Sequence, residues 1–540
     1  MNLLRANQHK RFQYVSRVLF SELPGLLTFD DLPMKSKKNS SKRKHYLGRF
    51  DLPNGLTEIG EMRLDAPRIT LDLHSDNKLD AIKDATYIRG TTFSGECLSL
   101  IDCYSTGAGH SFDEHKITRH HAWASAHYAV VGKAHIAPGE ASVRCIEFTA
   151  TDIALLFNDN EAFSHVINSS AAMPALVEEH ETTARKYGFE PRPLQVGEYP
   201  HIFYFTGRDR ICEIHTAIGL ISVQHRIRFR LPSPSKGIRV KNRMVVVITP
   251  NQPITFIEAL GAMHDMASFL SAAVGRAQGV SHIKIDVGEA DAETRLLLDV
   301  HPSFPIKGVK DDGGRTLKPN DLPLNPIFRL DEFRTVLINW MEKQDGRRTA
   351  RYRHLDCLRK ANSYGPDRIV AAANMFDVLP SEATPVAAEL SAELAETRDQ
   401  CIALLRKHAS GPDRNGALSA LGRLGKPSLP KKVSYRASIV VEKMGRKFPN
   451  LQDVASLAVK CRNYFVHGGD DFDIDRLQDF IPFLTDTLEF IFVASDFLES
   501  GWNPDHWLED SYGVENQFAK FLWIYESTLA ELVQAQAKPT

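Results

Sequence analysis

The sequence predicts an α+β chain of more than one domain: a mainly-β part, sandwich or barrel-like, followed by an all-α helical bundle. Three observations predict it. From about residue 46 to 260 apolar side chains recur at every second position, the period of half-buried strands. From about 325 the recurrence lengthens to three and four residues, the period of amphipathic helices. Between them "IKGVKDDGGRTLKPNDLPLNP" (306–326) is rich in Gly, Pro and Asp and reads as a linker. The expected domains are 1–45, a lead-in and basic loop; 46–305, β-rich; 306–326, the linker; and 327–540, helical.

Residues 1–30 read as a short helical lead-in. "KSKKNSSKRKH" (35–45) is a basic, low-complexity run; a solvated loop is favoured over a nucleic-acid arm. "RITLDLHS" alternates Ile69, Leu71 and Leu73 with polar neighbours, and "ECLSLIDC", "SVRCIEFTA" and "MVVVITP" are further strands. "DLPNG" and "STGAG" read as turns between them. "PITFIEALGAMHDMASFLSAAVG" (253–275) interrupts the strands with a helix. The helices that follow are "FRLDEFRTVLINWMEKQ", "PDRIVAAANMFDVLP", "PVAAELSAELAETRDQCIALLRKH", "SYRASIVVEKMG", "LQDVASLAVKCRNYFVH" and "DRLQDFIPFLTDTLEFIFVASDFLE".

Bulk properties exclude several classes. At 43% hydrophobic over 540 residues there is enough apolar material for cores without disulfide or metal staples. A net charge of −1 excludes a general basic coat, so nucleic-acid binding must rest on local patches. The seven cysteines are scattered, with no CxxC pair; this argues against a disulfide framework or zinc ribbon and fits a reducing cytoplasm. The N-terminal segment lacks the apolar core of a signal peptide. No apolar run reaches the roughly 18–20 residues of a membrane span. "FIPFLTDTLEFIFVASDFL" comes closest, but its two aspartates and one glutamate mark a buried amphipathic helix. No Walker loop or dinucleotide fingerprint is present, and no cofactor is expected.

Chemistry concentrates in "CRNYFVHGGD" (461–470). On a helix over 451–467, Val454, Leu457, Ala458, Cys461 and Phe465 form a buried stripe. Asp453, Ser456, Lys460, Asn463 and His467 form a polar one, and Arg462 reaches the same spot. Gly468 and Gly469 end the helix. A histidine there can move a 2′-hydroxyl proton, and an arginine can hold a phosphate. One histidine cannot be base and acid in one concerted step, so a two-fold dimer is expected to pair two such helices. The spacing Arg-x4-His alone is weak: "RICEIH" (Arg210 to His215) repeats it in a predicted strand, where it reads as structural.

Three other clusters carry charge or metal-ligating side chains. In "HRIRFRLPSPSKGIRVKNRMVVV", Arg226, Arg228 and Arg230 face Arg239, Lys241 and Arg243 once folded as a hairpin. Six like charges on one face destabilise a sheet, so the face is either a phosphate-tracking surface for RNA or a solvated, edge-protecting one. "GHSFDEHKITRHHAWASAHYAVVGKAH" holds His110, His115, His120, His121, His127 and His135, but at spacings of no compact metal site. "GGDDFDIDR" lacks the glycine and glutamate of an EF-hand loop and reads as an N-cap for the next helix.

"RNYFVH", on the penultimate long helix of a helical domain, resembles the RN-x3-H signature of HEPN domains. These are dimeric, metal-independent ribonucleases or their inactive relatives. "YLGRFDLPNGLTEIGEMRL", "ITLDLHS" and "IRGTTFSGECLSLIDC" are similar to the N-terminal β-domain of the ApeA-like family, prokaryotic antiphage proteins with a C-terminal HEPN domain. The resemblance implies that Arg462, Asn463 and His467 are the catalytic set of a homodimeric ribonuclease. It implies tRNA or another translational RNA as target, growth arrest as outcome, and a phage-derived trigger. It also implies an acidic residue on an earlier helix facing the motif; the matching segment "DRIVAAANMFDVL" offers Asn374, with Asp377 one turn on. The alternative is a non-catalytic HEPN protein that only dimerises or binds a partner.

Overall fold

The computed structural model describes residues 44–65, 68–112, 118–191, 193–230, 239–289, 295–304, 306–308, 318–387, 389–468, 472–510 and 516–537. The expected lead-in and nearly all of the basic run at 35–45 lie outside them.

Sixteen strands can be followed among these residues. They are β1 (Lys44–Asp51), β2 (Thr57–Asp65), β3 (Arg68–Ser75), β4 (Tyr87–Thr92), β5 (Cys97–Phe112), β6 (Thr118–Gly132), β7 (Cys145–Ala150) and β8 (Phe163–Val166). The chain continues with β9 (Ile202–Phe205), β10 (Arg210–Thr216), β11 (Gly219–His225), β12 (Arg228–Arg230), β13 (Arg239–Lys241), β14 (Met244–Thr249), β15 (Val280–Asp286) and β16 (Leu297–Pro302). Twelve join in one sheet, in the order β10-β11-β14-β7-β15-β16-β6-β3-β2-β1-β4-β5. Because β5 also pairs with β6, the last six strands close on themselves as a barrel. Closure leaves those strands no unpaired edge.

The barrel is small and filled by side chains. Ile69, Leu71 and Leu73 of β3 are buried, as the alternation predicts. Phe50 occupies the interior because Gly90 leaves room for it: a Cβ there would lie 2.5 Å from the ring. "STGAG" is not a turn, as the sequence reading had it. It lies within β5, where the pairing with β6 shifts register between Ser105 and Gly107. Glycines inside a strand mark a bulge as often as an end.

The other six strands extend from β6 as an open wing. The helix expected at 253–275 packs on it as α2 (Phe256–Val274), after α1 (Met173–Lys186). A Thr255–Glu258 capping box starts α2, and Gly275 (φ 74°) ends it. Fifteen of its nineteen residues are buried, so it is enclosed on nearly every side.

The helical part comprises α3 (Leu330–Glu342), α4 (Gln344–Arg359), α5 (Pro366–Asp377), α6 (Ala392–Arg406), α7 (Pro412–Leu421), α8 (Leu429–Met444), α9 (Leu451–His467), α10 (Ile481–Glu499) and α11 (Gln517–Ala537). The sequence places a helix from 385, but α6 starts only after Ser391, whose Oγ accepts from Leu394 N. The segment read as a buried amphipathic helix is α10, the axis of the bundle. It is buried from Phe483 to Phe497 and packs against α5, α8, α9 and α11. Among the described residues no helix is long and apolar enough to cross a membrane.

Three buried polar clusters fix the helices. Asp496 of α10 accepts from Arg347 and Arg351 of α4, at 2.5 and 2.8 Å. Burial alone would raise its carboxyl; Arg351, then Arg347 and Arg436, outweigh that and hold it well below the usual range. Arg368 of α5 grips Glu489 through Nε (2.8 Å) and Nη2 (2.9 Å). Asp265 of α2 accepts from Gln344 (2.9 Å), Tyr352 (2.7 Å) and Arg348 (3.0–3.1 Å), joining the wing to α4.

Candidate active site

The tip of α9 carries the motif. Val454, Ala458 and Cys461 are buried, with Leu457 and Phe465 half-buried beside them. Burial pushes the Cys461 thiol up to about 12, so it acts as packing and not as a nucleophile. Asp453, Ser456, Lys460 and His467 are exposed, and Arg462 and Asn463 are half-buried. Gly468 adopts φ 69° and its N–H bonds Tyr464 O at 2.9 Å, which closes the helix one residue beyond His467.

Arg462 is the hub. Its Nη1 donates to Asn463 Oδ1 at 3.1 Å and lies 3.4 Å from His467 Nε2. Its Nη2 donates to Asn374 Oδ1 at 3.0 Å. Arginine can only donate, so in this contact the imidazole Nε2 is an acceptor and its proton sits on Nδ1. Arg462 Nε is buried without a hydrogen-bond partner. Among the described residues no carboxylate pairs with this guanidinium. It is held by neutral amides and keeps its full charge for an anion.

Asn374 stands on α5, whose Ile369, Ala373 and Phe376 are buried. That leaves its amide on the side that meets α9. Asp377, the other candidate from the same segment, is not brought to the cluster: Lys432 Nζ of α8 donates to its backbone O at 2.9 Å and lies 3.7 Å from its carboxylate. Sequence reasoning missed Lys432. Its partner lies 55 residues away and no local pattern marks the pair.

The other clusters resolve differently. Arg210 and His215 lie on β10, as expected. The basic hairpin forms with Arg228 opposite Lys241 and Arg230 opposite Arg239. Arg226 and Arg243 extend it by exchanging backbone hydrogen bonds. Arg226, however, turns to Glu147 (3.0 Å) and Gln224 (2.7 Å); the side chain of Arg230 lies outside the described set. His110, His120, His121 and His127 lie on barrel strands and His135 in the loop after β6; His121 bonds His74 (2.7 Å) and Ser111 (2.9 Å), and His115 lies outside the described residues. Among those described, no three His, Cys, Asp or Glu side chains are grouped to share a metal ion. Asp473 accepts from Arg476 N, as expected of an N-cap.

Comparison with known families matches both parts. The ApeA N-terminal domain 1 model matches residues 45–343, and the Apea-like HEPN model matches 370–506. No curated protein and no solved structure matches the chain. The first match alone spans more than half of the sequence, and the second contains the whole of α9 with its arginine–asparagine–histidine tip. The chain therefore belongs to the ApeA family, with an ApeA N-terminal domain followed by an Apea-like HEPN domain.

Proposed function

We propose that the chain is a metal-independent HEPN endoribonuclease of prokaryotic antiphage defence. In this reading it acts in the cytoplasm as a homodimer and cleaves tRNA or another translational RNA to arrest growth. Residues 46–305 sense a phage-derived trigger, restrain the nuclease or position RNA, 306–326 link, and 327–540 carry the nuclease.

The observation that carries this reading is the Arg462 guanidinium, paired with no carboxylate among the described residues and 3.4 Å from the acceptor nitrogen of an exposed histidine. His467 takes the proton of a ribose 2′-hydroxyl. The 2′-oxygen forms a bond to phosphorus while the bond to the 5′-oxygen breaks, leaving a 2′,3′-cyclic phosphate and a 5′-hydroxyl. Arg462 holds the non-bridging oxygens as charge builds on them. The histidine of a second copy protonates the departing 5′-oxygen. Asn374 and Asn463 are positioning residues that fix the guanidinium.

Purified protein with total tRNA and chelator tests this. Cleavage with 5′-hydroxyl ends is expected, and His467→Ala should lower it by about a thousandfold without changing fold or oligomeric state. Equal activity in the variant rejects the site. No cleavage by the wild type, with or without extract from phage-infected cells, favours the non-catalytic HEPN reading.

A further inference from the structure

The basic hairpin forms one wall of a cleft of about 760 Å³. β15 supplies a further part of the lining, and Val245 and Leu297 also line the space. Arg228, Lys241 and Arg243 line it from the hairpin side; none has a carboxylate partner among the described residues. His282 and Lys284 line it from β15.

His282 is not there by ordinary strand geometry. The pairing of β15 with β7 shifts between Ser281 and Lys284, and His282 adopts φ 55°. A bulge of this kind re-aims a side chain, and the strained backbone must be held by its surroundings. Here it adds an imidazole to a cluster of cations. Burial, followed by Arg243 and Arg228, pushes the His282 imidazole down. Burial and Arg228 do the same to Arg243. These groups raise one another's energy, Glu147 offsetting part of this at Arg243, and an anion with several charges would reverse the rest.

The cleft does not fit a continuous RNA backbone. Asp209 shares its lining and would repel a phosphate passing over it, beside Glu147, which is already paired with Arg226 at 3.0 Å. Its volume lies in the range of small-ligand pockets, roughly 300–1,000 Å³. Phe205, stacked on Phe163 at 5.0 Å, supplies an aromatic surface at one side. Carboxylates accept from sugar hydroxyls and base amines, and an aromatic ring stacks on a base.

We infer that this cleft binds a small phosphorylated ligand of the nucleotide class, with two or more phosphates on Arg228, Lys241, Arg243 and His282 and the nucleoside toward Phe205 and Asp209. The site lies in the ApeA N-terminal domain and is independent of the nuclease reading.

Calorimetric titration of the full-length protein tests it with ATP, GTP, inorganic tripolyphosphate and adenosine, and with a short 2′-O-methyl oligoribonucleotide that resists cleavage. ATP or GTP is expected to bind in the micromolar range. Tripolyphosphate should compete and adenosine should not bind. Replacing Arg228 and Arg243 together by Ala should weaken nucleotide binding by at least about tenfold, while Arg462→Ala leaves it unchanged. These cations are at least partly exposed, and thermal melts verify that the variants fold. If the double variant is unfolded, Lys241→Glu and the wild-type competition decide in its place. The proposal is overturned if neither nucleotide binds at millimolar concentration, or if binding ignores the substitutions. It is equally overturned if only the oligonucleotide binds, with a steep salt dependence, because the face is then an RNA track.

Discussion

Arg462 spends its donors on two amides and an imidazole, so Asn374 sets its position without cancelling its charge. A hydrogen bond to a charged group contributes about 1.5–3 kcal/mol. Asn374→Ala should therefore slow cleavage by roughly tenfold to a hundredfold in kcat. Asn374→Asp should restore only part of it, since a carboxylate offers the same acceptor but offsets some of the guanidinium's charge. Equal loss in both variants would mean that the amide does more than hold the guanidinium. A second residue-scale test concerns folding. Burial pushes the His354 imidazole down to about 4; Glu489 opposes this and Arg368 assists it. Its folded pKa lies below the unfolded value, so its contribution is intact above about pH 6.5 and is lost as pH falls toward 4, on the order of 3 kcal/mol. Urea denaturation of His354→Leu should show a flatter pH dependence across that window. An unchanged slope would assign the acid sensitivity elsewhere.

At the scale of elements, local patterns were legible and distant pairings were not. The alternation in "RITLDLHS" matches β3 residue for residue, and the periodicity of 451–467 matches α9. Both depend on which face is apolar, and that is written locally. Barrel closure is not: β5 must pair with β6 as well as β4, and nothing in either strand's composition says so. Helix α4 was not expected at all. "QDGRRTARYRHLDCLR" looks like a solvated charged stretch, yet Arg347 and Arg351 are buried because Asp496 meets them from 149 and 145 residues away. The clustering of Arg462, Asn463 and His467 was legible in the hexapeptide, but which of Asn374 and Asp377 reaches that cluster depended on how α5 meets α9. Gly468 gives an element-scale prediction. A Cβ there meets no atom within 4 Å, so Gly468→Ala carries only backbone strain, about 1–2 kcal/mol. Chemical denaturation should show that loss, and cleavage should fall as the His467 turn frays. A neutral substitution would show that the turn can relax.

At the scale of the whole molecule, the ApeA and HEPN parts share a core. Phe269 of α2, within the ApeA match, lies with its ring centroid 6.4 Å from that of Phe497 of α10, within the HEPN match; Phe333 and Trp340 of α3, also within the ApeA match, lie 5.7 and 5.6 Å from Phe269. Asp265 is the polar counterpart of that contact. Asp265→Ala leaves Gln344 and Tyr352 without their shared acceptor, while half-exposed Arg348 keeps Asp345 at 3.0 Å, and should cost about 1–3 kcal/mol. The single thermal transition expected of the wild type should then separate into two. A single transition with unchanged midpoint would show that the aromatic contact alone joins the parts.

Helix α2 shows where the chain cannot be cut. A cut between residues 308 and 318 would sever the backbone yet leave both fragments clasped through that helix, because 321–326 are themselves buried under Trp502 and Trp507. A recombinant piece beginning at residue 327 would instead display a raw aromatic socket to water and come out of cells as aggregate.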